Sequence, residues 1–101
     1  MTEPLVFRGP EGSITVTAGA LTRLVAHAAQ EVDGVRLRRP KRAVEVTWGS
    51  GRAAVSLSVS ARHGTPLSDL ARSVQERVAA AIGAMSGSEV ERVDVEIVEV
   101  L

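Results

Sequence analysis

The chain has 101 residues, and its twelve basic side chains balance twelve acidic ones. This length fits one domain, typically about 100 to 150 residues around a single core, and the zero net charge removes the positive field of a dedicated nucleic-acid binder. The absence of cysteine excludes disulfides, thiolate nucleophiles and cysteine-ligated metals, and it suits a reducing cytoplasm.

Glycine and proline recur through residues 1–12, a density that opposes regular structure. We therefore expect a flexible N-terminal leader over residues 1–12 and a single domain over residues 13–101. No apolar run approaches the ~20 residues of a membrane span, so we expect no direct transmembrane insertion.

The domain begins with one strand and one helix. Residues 13–17 alternate polar and β-branched side chains, which predicts a half-buried strand with Ile14 and Val16 facing inward. Apolar residues at helical spacing follow and end before Asp33, which predicts an amphipathic helix. Its apolar stripe comprises Leu21, Leu24, Val25, Ala28, Ala29 and Val32.

Three strands come next. Alternation predicts strands over Val35 to Arg39, Ala43 to Trp48 and Ala53 to Ala61, with a glycine-containing turn at residues 49–51 joining the last two. Along the third strand, valine and leucine occupy one face and serine the other, which is typical of an antiparallel sheet with one wet face.

A second helix and a final strand complete the chain. Thr65-Pro66 is a helix start, and an apolar stripe runs to Met85 before Gly87 ends the helix. Val93, Val95 and Ile97 then alternate with charged residues as a strand. The order β-α-β-β-β-α-β predicts an α+β two-layer sandwich, a mixed sheet covered on one face by two helices.

Several strings resemble a known family in their order and spacing, from about Gly12 to the C-terminus. They are Gly12-Ser13-Ile14-Thr15-Val16, Glu31-Val32-Asp33-Gly34-Val35, Val74-Gln75-Glu76-Arg77-Val78, Met85-Ser86-Gly87 and Val93-Asp94-Val95-Glu96-Ile97. The family is the alkaline shock protein family, also called the envelope stress response family, of Gram-positive and related bacteria. Two positions depart from it: His63 stands where members usually carry an aromatic residue, and Ser88 where leucine is usual.

The resemblance implies a non-enzymatic bacterial protein of the envelope or alkaline stress response that needs no cofactor. It also implies self-association and binding to a membrane-anchored protein partner. The protein would then be cytoplasmic and held peripherally at the inner face of the cell membrane through that partner.

The end of the last strand carries the candidate interface. Alternation places Val98 and Val100 with Asp94 and Glu96 on the face that should meet water. Either a β-bulge resets the register, or this apolar end docks onto another chain, as terminal strands with unpaired backbone groups can. The candidate interface residues are Val98, Val100, Leu101, Ser56 and Ser58.

A dense basic cluster around Pro40 is the second candidate site. It could meet phosphates or an anionic leaflet, although charge runs usually form a solvated loop. A small nucleic-acid-binding module built on this loop is the alternative to the assembly function, and the scarcity of aromatic residues opposes it. The candidate anionic-contact residues are Arg36, Arg38, Arg39, Lys41 and Arg42.

Catalytic and metal sites are not expected. His63, beside the predicted start of the second helix, has no nucleophile, second histidine or paired carboxylate near it in sequence. His27 and His63 are far apart, whereas a protein metal site usually needs three or four ligands. The glycine-rich segments at residues 9–12 and 49–51 lack the Lys-Ser/Thr of a phosphate-binding loop and are predicted to be turns.

Overall fold

The computed structural model describes residues 5–49, 51–86 and 89–101, which form an α+β fold. The predicted helix end at Gly87, the turn residue Ser50 and the family departure at Ser88 lie outside these residues. The strands are β1 (Leu5–Gly9), β2 (Gly12–Val16), β3 (Val35–Arg36), β4 (Val44–Gly49), β5 (Arg52–Ala61) and β6 (Glu89–Val100). The helices are α1 (Ala18–Gln30), the single turn α2 (Pro40–Ala43) and α3 (Leu67–Ser86).

Strand β5 is the centre of the main sheet. The strand β4 pairs antiparallel with residues 52–57 of β5, and β3 pairs antiparallel with residues 60–61 further along the same edge. The other edge is taken by β6, which runs parallel to β5 along its whole length. The parallel pairing follows from the connection, because α3 carries the chain back across the sheet between β5 and β6.

The core lies between this sheet and the two long helices, which cover one face of the sheet as predicted. Alternate residues of β5 point into it, and α1 packs against β4 and α3 while α3 packs against β6. Aliphatic side chains fill the core, as the composition predicts. Its most buried large side chains are Leu21, Val25, Val55, Leu57, Val59, Val74, Val78 and Ile82.

Hydrogen bonds define the starts of both long helices. The Thr17 hydroxyl accepts a hydrogen bond from the backbone N–H of Ala20 at 3.2 Å and so caps α1. The N–H of Leu70 donates to the carbonyl of Pro66 at 3.0 Å, which makes Pro66 the first acceptor of α3. The contact at Pro66 confirms the predicted start of the second helix at Thr65-Pro66, whereas the cap at Thr17 was not predicted.

The N-terminal region differs from the expected flexible leader over residues 1–12. Residues 5–9 form β1, which pairs antiparallel with β2 in a separate two-stranded sheet, with Phe7 opposite Ile14. Pro10 and Glu11 form the turn between the two strands, and Gly12, the first residue of β2, has a φ of 127°. Because β2 pairs with β1 and not with the main sheet, Ile14 is 65% exposed, and the prediction that it faces inward is wrong.

The segment after α1 also differs from its prediction. The strand expected over Val35 to Arg39 ends at Arg36, and Pro40 opens the single helical turn α2. Proline fits the first turn of a helix because its φ is preset and it has no N–H to satisfy there. The predicted element order therefore lacks β1 and α2, while the remaining elements follow in the predicted sequence.

Candidate interaction surface

The face of the main sheet opposite the helices carries the predicted line of serines. On β5, Ser56 is exposed, Ser58 is half-buried and Ser60 is buried, with only 4% of its surface exposed. Ser60 lines a groove together with Arg36 of β3, Arg38 of the following segment and Glu99 of β6. This end of the open face therefore differs from a plain solvated surface.

A β-bulge in β6 shapes this end of the face. Val59 pairs with Ile97, but the next residue, Ser60, pairs with Glu99, so Val98 is an extra residue in β6. The bulge resets the register, which is one of the two alternatives that the sequence left open. It does not bury Val98, which remains 56% exposed beside the serine face.

The bulge brings Glu99 onto the open face. The hydroxyl of Ser60 donates a hydrogen bond to Glu99 Oε1 at 3.3 Å, and Arg38 Nη2 forms an ion pair with the same oxygen at 3.4 Å. Ser60 belongs to the predicted serine face, but neither Ser60 nor Glu99 is among the candidate site residues that the sequence indicated. The break in alternation after Ile97 is the signal that could have pointed to Glu99.

Most of the basic cluster lies near Ser60 and Glu99. Arg36 is opposite Ser60 in the β3–β5 ladder, so its side chain shares the open face. With the arginines that follow, it borders a groove of about 480 Å³. Among the residues that line this groove are Arg36, Arg38, Arg39, Arg42, Val98 and Glu99.

The structure thus joins two sites that the sequence treated as separate. Ser58 and Val98 from the candidate interface and four arginines from the candidate anionic contact border one groove. The side chain of Lys41 lies outside the described part of the chain. Ser56 lies further along β5, beside the Arg92–Asp94 ion pair, whose nitrogen and oxygen are 3.1 Å apart.

The last two residues continue the pairing of β6 with β5. The N–H of Leu101 donates to the carbonyl of Ala61 at 2.8 Å, and its carbonyl accepts from the N–H of His63 at 2.7 Å. Since backbone groups alternate in direction along a strand, the N–H and carbonyl of Val100 point to the outer edge of the sheet. Val100 and Leu101 are about half exposed, at 49% and 45%.

The outer edge of β6 faces no other strand among the described residues. Charged side chains alternate along residues 89–96, and charges of this kind discourage strand pairing at an edge. Residues 97–101 are apolar except for Glu99, whose carboxylate is engaged by Ser60 and Arg38. The part of the edge suited to pairing with another chain is therefore residues 97–101.

Neither histidine lines the groove at the end of β6. His27 is exposed on α1, and His63 is exposed with its backbone N–H bound to Leu101. Among residues 5–49, 51–86 and 89–101, no three histidine or carboxylate side chains come together as a metal-ion ligand set. Within the same residues, no helix has the length and apolar character needed to cross a membrane.

The fold recurs in solved structures of MamM CTD. A copper form has a TM-score of 0.56 and 17% sequence identity, with 82% of this chain and 98% of that chain covered. A nickel form has a TM-score of 0.55 and 17% identity, with 80% of this chain and 96% of that chain covered. At this identity the likeness concerns the fold alone.

Sequence comparison places the chain in a family. No protein of curated function matches it in sequence. One family model, described by a cell envelope-related function, matches residues 8–101 and so spans both the open face and the covering helices. The resemblance seen in the sequence strings is thereby confirmed, and the chain belongs to the alkaline shock protein 23 family.

Proposed function

We propose that this chain is a non-catalytic bacterial envelope stress protein. It self-associates through the outer edge of β6 and is held at the inner face of the cell membrane by a membrane-anchored partner. Family membership supports the cell-envelope role. The observation that carries the self-association is the outer edge of β6 at residues 97–101, which faces no other strand of the described chain and where Val100 and Leu101 are about half exposed.

Edge pairing would combine two contributions. The outward N–H and carbonyl of Val100 supply backbone hydrogen bonds to an added strand, while Val98 and Leu101 supply apolar surface. A strand that pairs with a copy of itself does so antiparallel about a two-fold axis, so one surface serves both copies. The charged residues 89–96 confine this pairing to the end of the strand.

Sedimentation velocity at micromolar concentration tests the self-association. Val100→Pro removes the outward N–H but leaves both hydrogen bonds of Leu101 in place, and proline is tolerated at such edge positions. We expect the native chain to sediment as an oligomer and the variant as a monomer with an unchanged circular dichroism spectrum. A monomeric native chain, or an oligomeric variant, would overturn the proposal.

A second pair of variants separates the edge from general surface hydrophobicity. Val98→Lys places a charge at the edge, whereas Leu67→Lys places the same charge at an apolar residue of α3 that is 41% exposed. We expect the first to weaken self-association and the second to leave it unchanged. Equal effects of the two variants would assign the association to a surface other than β6.

The membrane-anchored partner is tested by capture from detergent-solubilised membranes of the native organism. The tagged native chain should retain an integral membrane protein that a folded, unrelated bait of similar size and charge does not. Recovery of soluble proteins alone would contradict this part of the proposal.

A further inference from the structure

The groove between the segment after β3 and the end of β6 concentrates positive charge in a chain with no net charge. Four arginines border it, and Glu99 is the one carboxylate among its lining residues. Three positive charges are thus left uncompensated there. Since the rest of the chain must carry the opposite excess, the groove is an electrostatically distinct place on the surface.

Three of the four arginines form no ion pair with another residue of the described part of the chain. Within the described residues, Arg36, Arg39 and Arg42 form no ion pair, whereas Arg38 pairs with Glu99. Two arginines elsewhere on the surface, Arg62 and Arg92, do pair with carboxylates. Other arginines without an ion pair to a described residue, such as Arg72, lie apart from the groove, so the groove is distinguished by the three that lie together there.

The backbone fixes this grouping. Arg36 is held by the β3–β5 ladder, and Arg42 lies on the single turn α2 that Pro40 opens. Like charges held near one another repel, and an anion that contacts several of them removes that cost. Guanidinium groups bind phosphate oxygens in pairs, which makes a phosphate group the anion best matched to several arginines.

The dimensions and surroundings of the groove limit the ligand. Its volume of about 480 Å³ falls within the range of small-molecule sites. On the remainder of the open face, Glu45, Asp94 and Glu96 are exposed and would repel a polyanion that extended beyond the groove. Of the described aromatic residues, neither Phe7 nor Trp48 borders the groove, so bases would find no stacking surface there.

We propose that this groove binds one phosphate ester group, borne by a small molecule or by a lipid headgroup. Arg36, Arg39 and Arg42 contact the phosphate oxygens. Glu99 competes with the ligand for Arg38, since its carboxylate already forms an ion pair with that guanidinium. Binding at the groove does not require self-association of the chain.

Calorimetric titration of the 101-residue chain with glycerol 3-phosphate, at low ionic strength, tests the soluble form of the ligand. Cosedimentation with phosphatidylcholine vesicles, with and without phosphatidylglycerol, tests the lipid form. The double variant Arg39→Gln and Arg42→Gln should bind at least ~10-fold more weakly, because charge-assisted hydrogen bonds are among the strong ones. The control is Arg72→Gln, an exposed arginine of α3 on the other side of the sheet, which should change binding less than about two-fold at such a remote site.

The variant Glu99→Gln makes the sharper test. It removes the competing charge but keeps an oxygen that can accept from Ser60, so we expect binding about three-fold tighter or more. Weaker or unchanged binding would contradict the competing role of Glu99.

The two binding experiments distinguish a soluble phosphate compound from a lipid headgroup as the source of the phosphate group. Binding of glycerol 3-phosphate supports a soluble phosphate ester, and binding only of phosphatidylglycerol vesicles supports a lipid headgroup. Binding of neither, or only of a single-stranded oligonucleotide, would overturn the proposal. Equal losses in the double variant and in Arg72→Gln would also overturn it. The edge variant Val100→Pro should retain the binding, so failure of the self-association proposal leaves this result intact.

Discussion

Glu99 of β6 lies opposite Ser60 of β5 and accepts a hydrogen bond of 3.3 Å from its hydroxyl. The extra residue Val98 makes this contact possible. Without the bulge, strict alternation from the inward-facing Ile97 would direct Glu99 to the helix-covered face, where an unpaired carboxylate is costly. The bulge therefore keeps the Glu99 carboxylate out of the core, and it also leaves Val98 exposed.

The Ser60–Glu99 contact should contribute to stability. We expect Ser60→Ala to lower the free energy of unfolding by about 1 kcal/mol, since the substitution removes the hydroxyl and Glu99 loses that hydrogen-bond donor. Urea denaturation measures the change. The control is Ser58→Ala, on the same face of β5. The Ser58 side chain forms no hydrogen bond with another described residue, so this variant should have a smaller effect.

Gly34 is required by its surroundings as well as by its backbone. Its φ is 90°, and a Cβ there would lie 3.0 Å from Thr65 Oγ1 and 3.3 Å from Leu70 Cδ1. Gly64 has nearly the same φ, 89°, but open space around it. We expect Gly34→Ala to destabilise the protein by about 1 to 2 kcal/mol more than Gly64→Ala, because only the first adds overlap to backbone strain. Thermal denaturation of the two variants gives this difference, and equal losses would contradict the packing argument.

The side chain of Gln75 ties α3 to β6. Its Nε2 donates to the carbonyl of Val93 at 2.9 Å. Gln75→Ala should cost about 0.5 to 1.5 kcal/mol in the free energy of unfolding, the usual contribution of one such hydrogen bond. Gln30→Ala, an exposed position at the end of α1, should cost less in the same denaturation experiment.

Leu57 lies at the centre of the core and is 2% exposed. Its truncation in Leu57→Ala should cost about 2 to 5 kcal/mol, since a cavity forms in addition to the lost transfer energy. Leu67→Ala, at a residue that is 41% exposed, should cost less than about 1 kcal/mol. A similar loss for both variants in urea denaturation would contradict the placement of the core.

The main elements could be predicted because their patterns are local. Helical periodicity predicted α1 and α3, alternation predicted β4, β5 and β6, and Thr65-Pro66 marked the start of α3. The inward direction of Ile14 was not predicted correctly, because alternation shows two faces but not which sheet a strand joins. The two-stranded sheet of β1 and β2 depends on that choice.

The candidate site was predicted in parts. The sequence identified Val98 and the arginine cluster, but it could not place them at one groove, because their proximity results from β3 and β6 lying on opposite edges of β5. The sequence also suggested a bulge as one of two explanations for the exposed Val98, but it did not indicate that Glu99 would contact Ser60 and Arg38. The partner of a bulged residue depends on pairing between distant segments, which a single sequence does not specify.

The central claim is self-association through the end of β6, and the amide of Val100 reports on it directly. Hydrogen exchange of individual amides, followed by NMR at low and high protein concentration, measures whether that outward N–H becomes protected. We predict that exchange at Val100 slows as the concentration rises, while Leu101, already bound to Ala61, changes less. An unchanged exchange rate at Val100 across the concentration range, or protection gained only along β4, would contradict the claim.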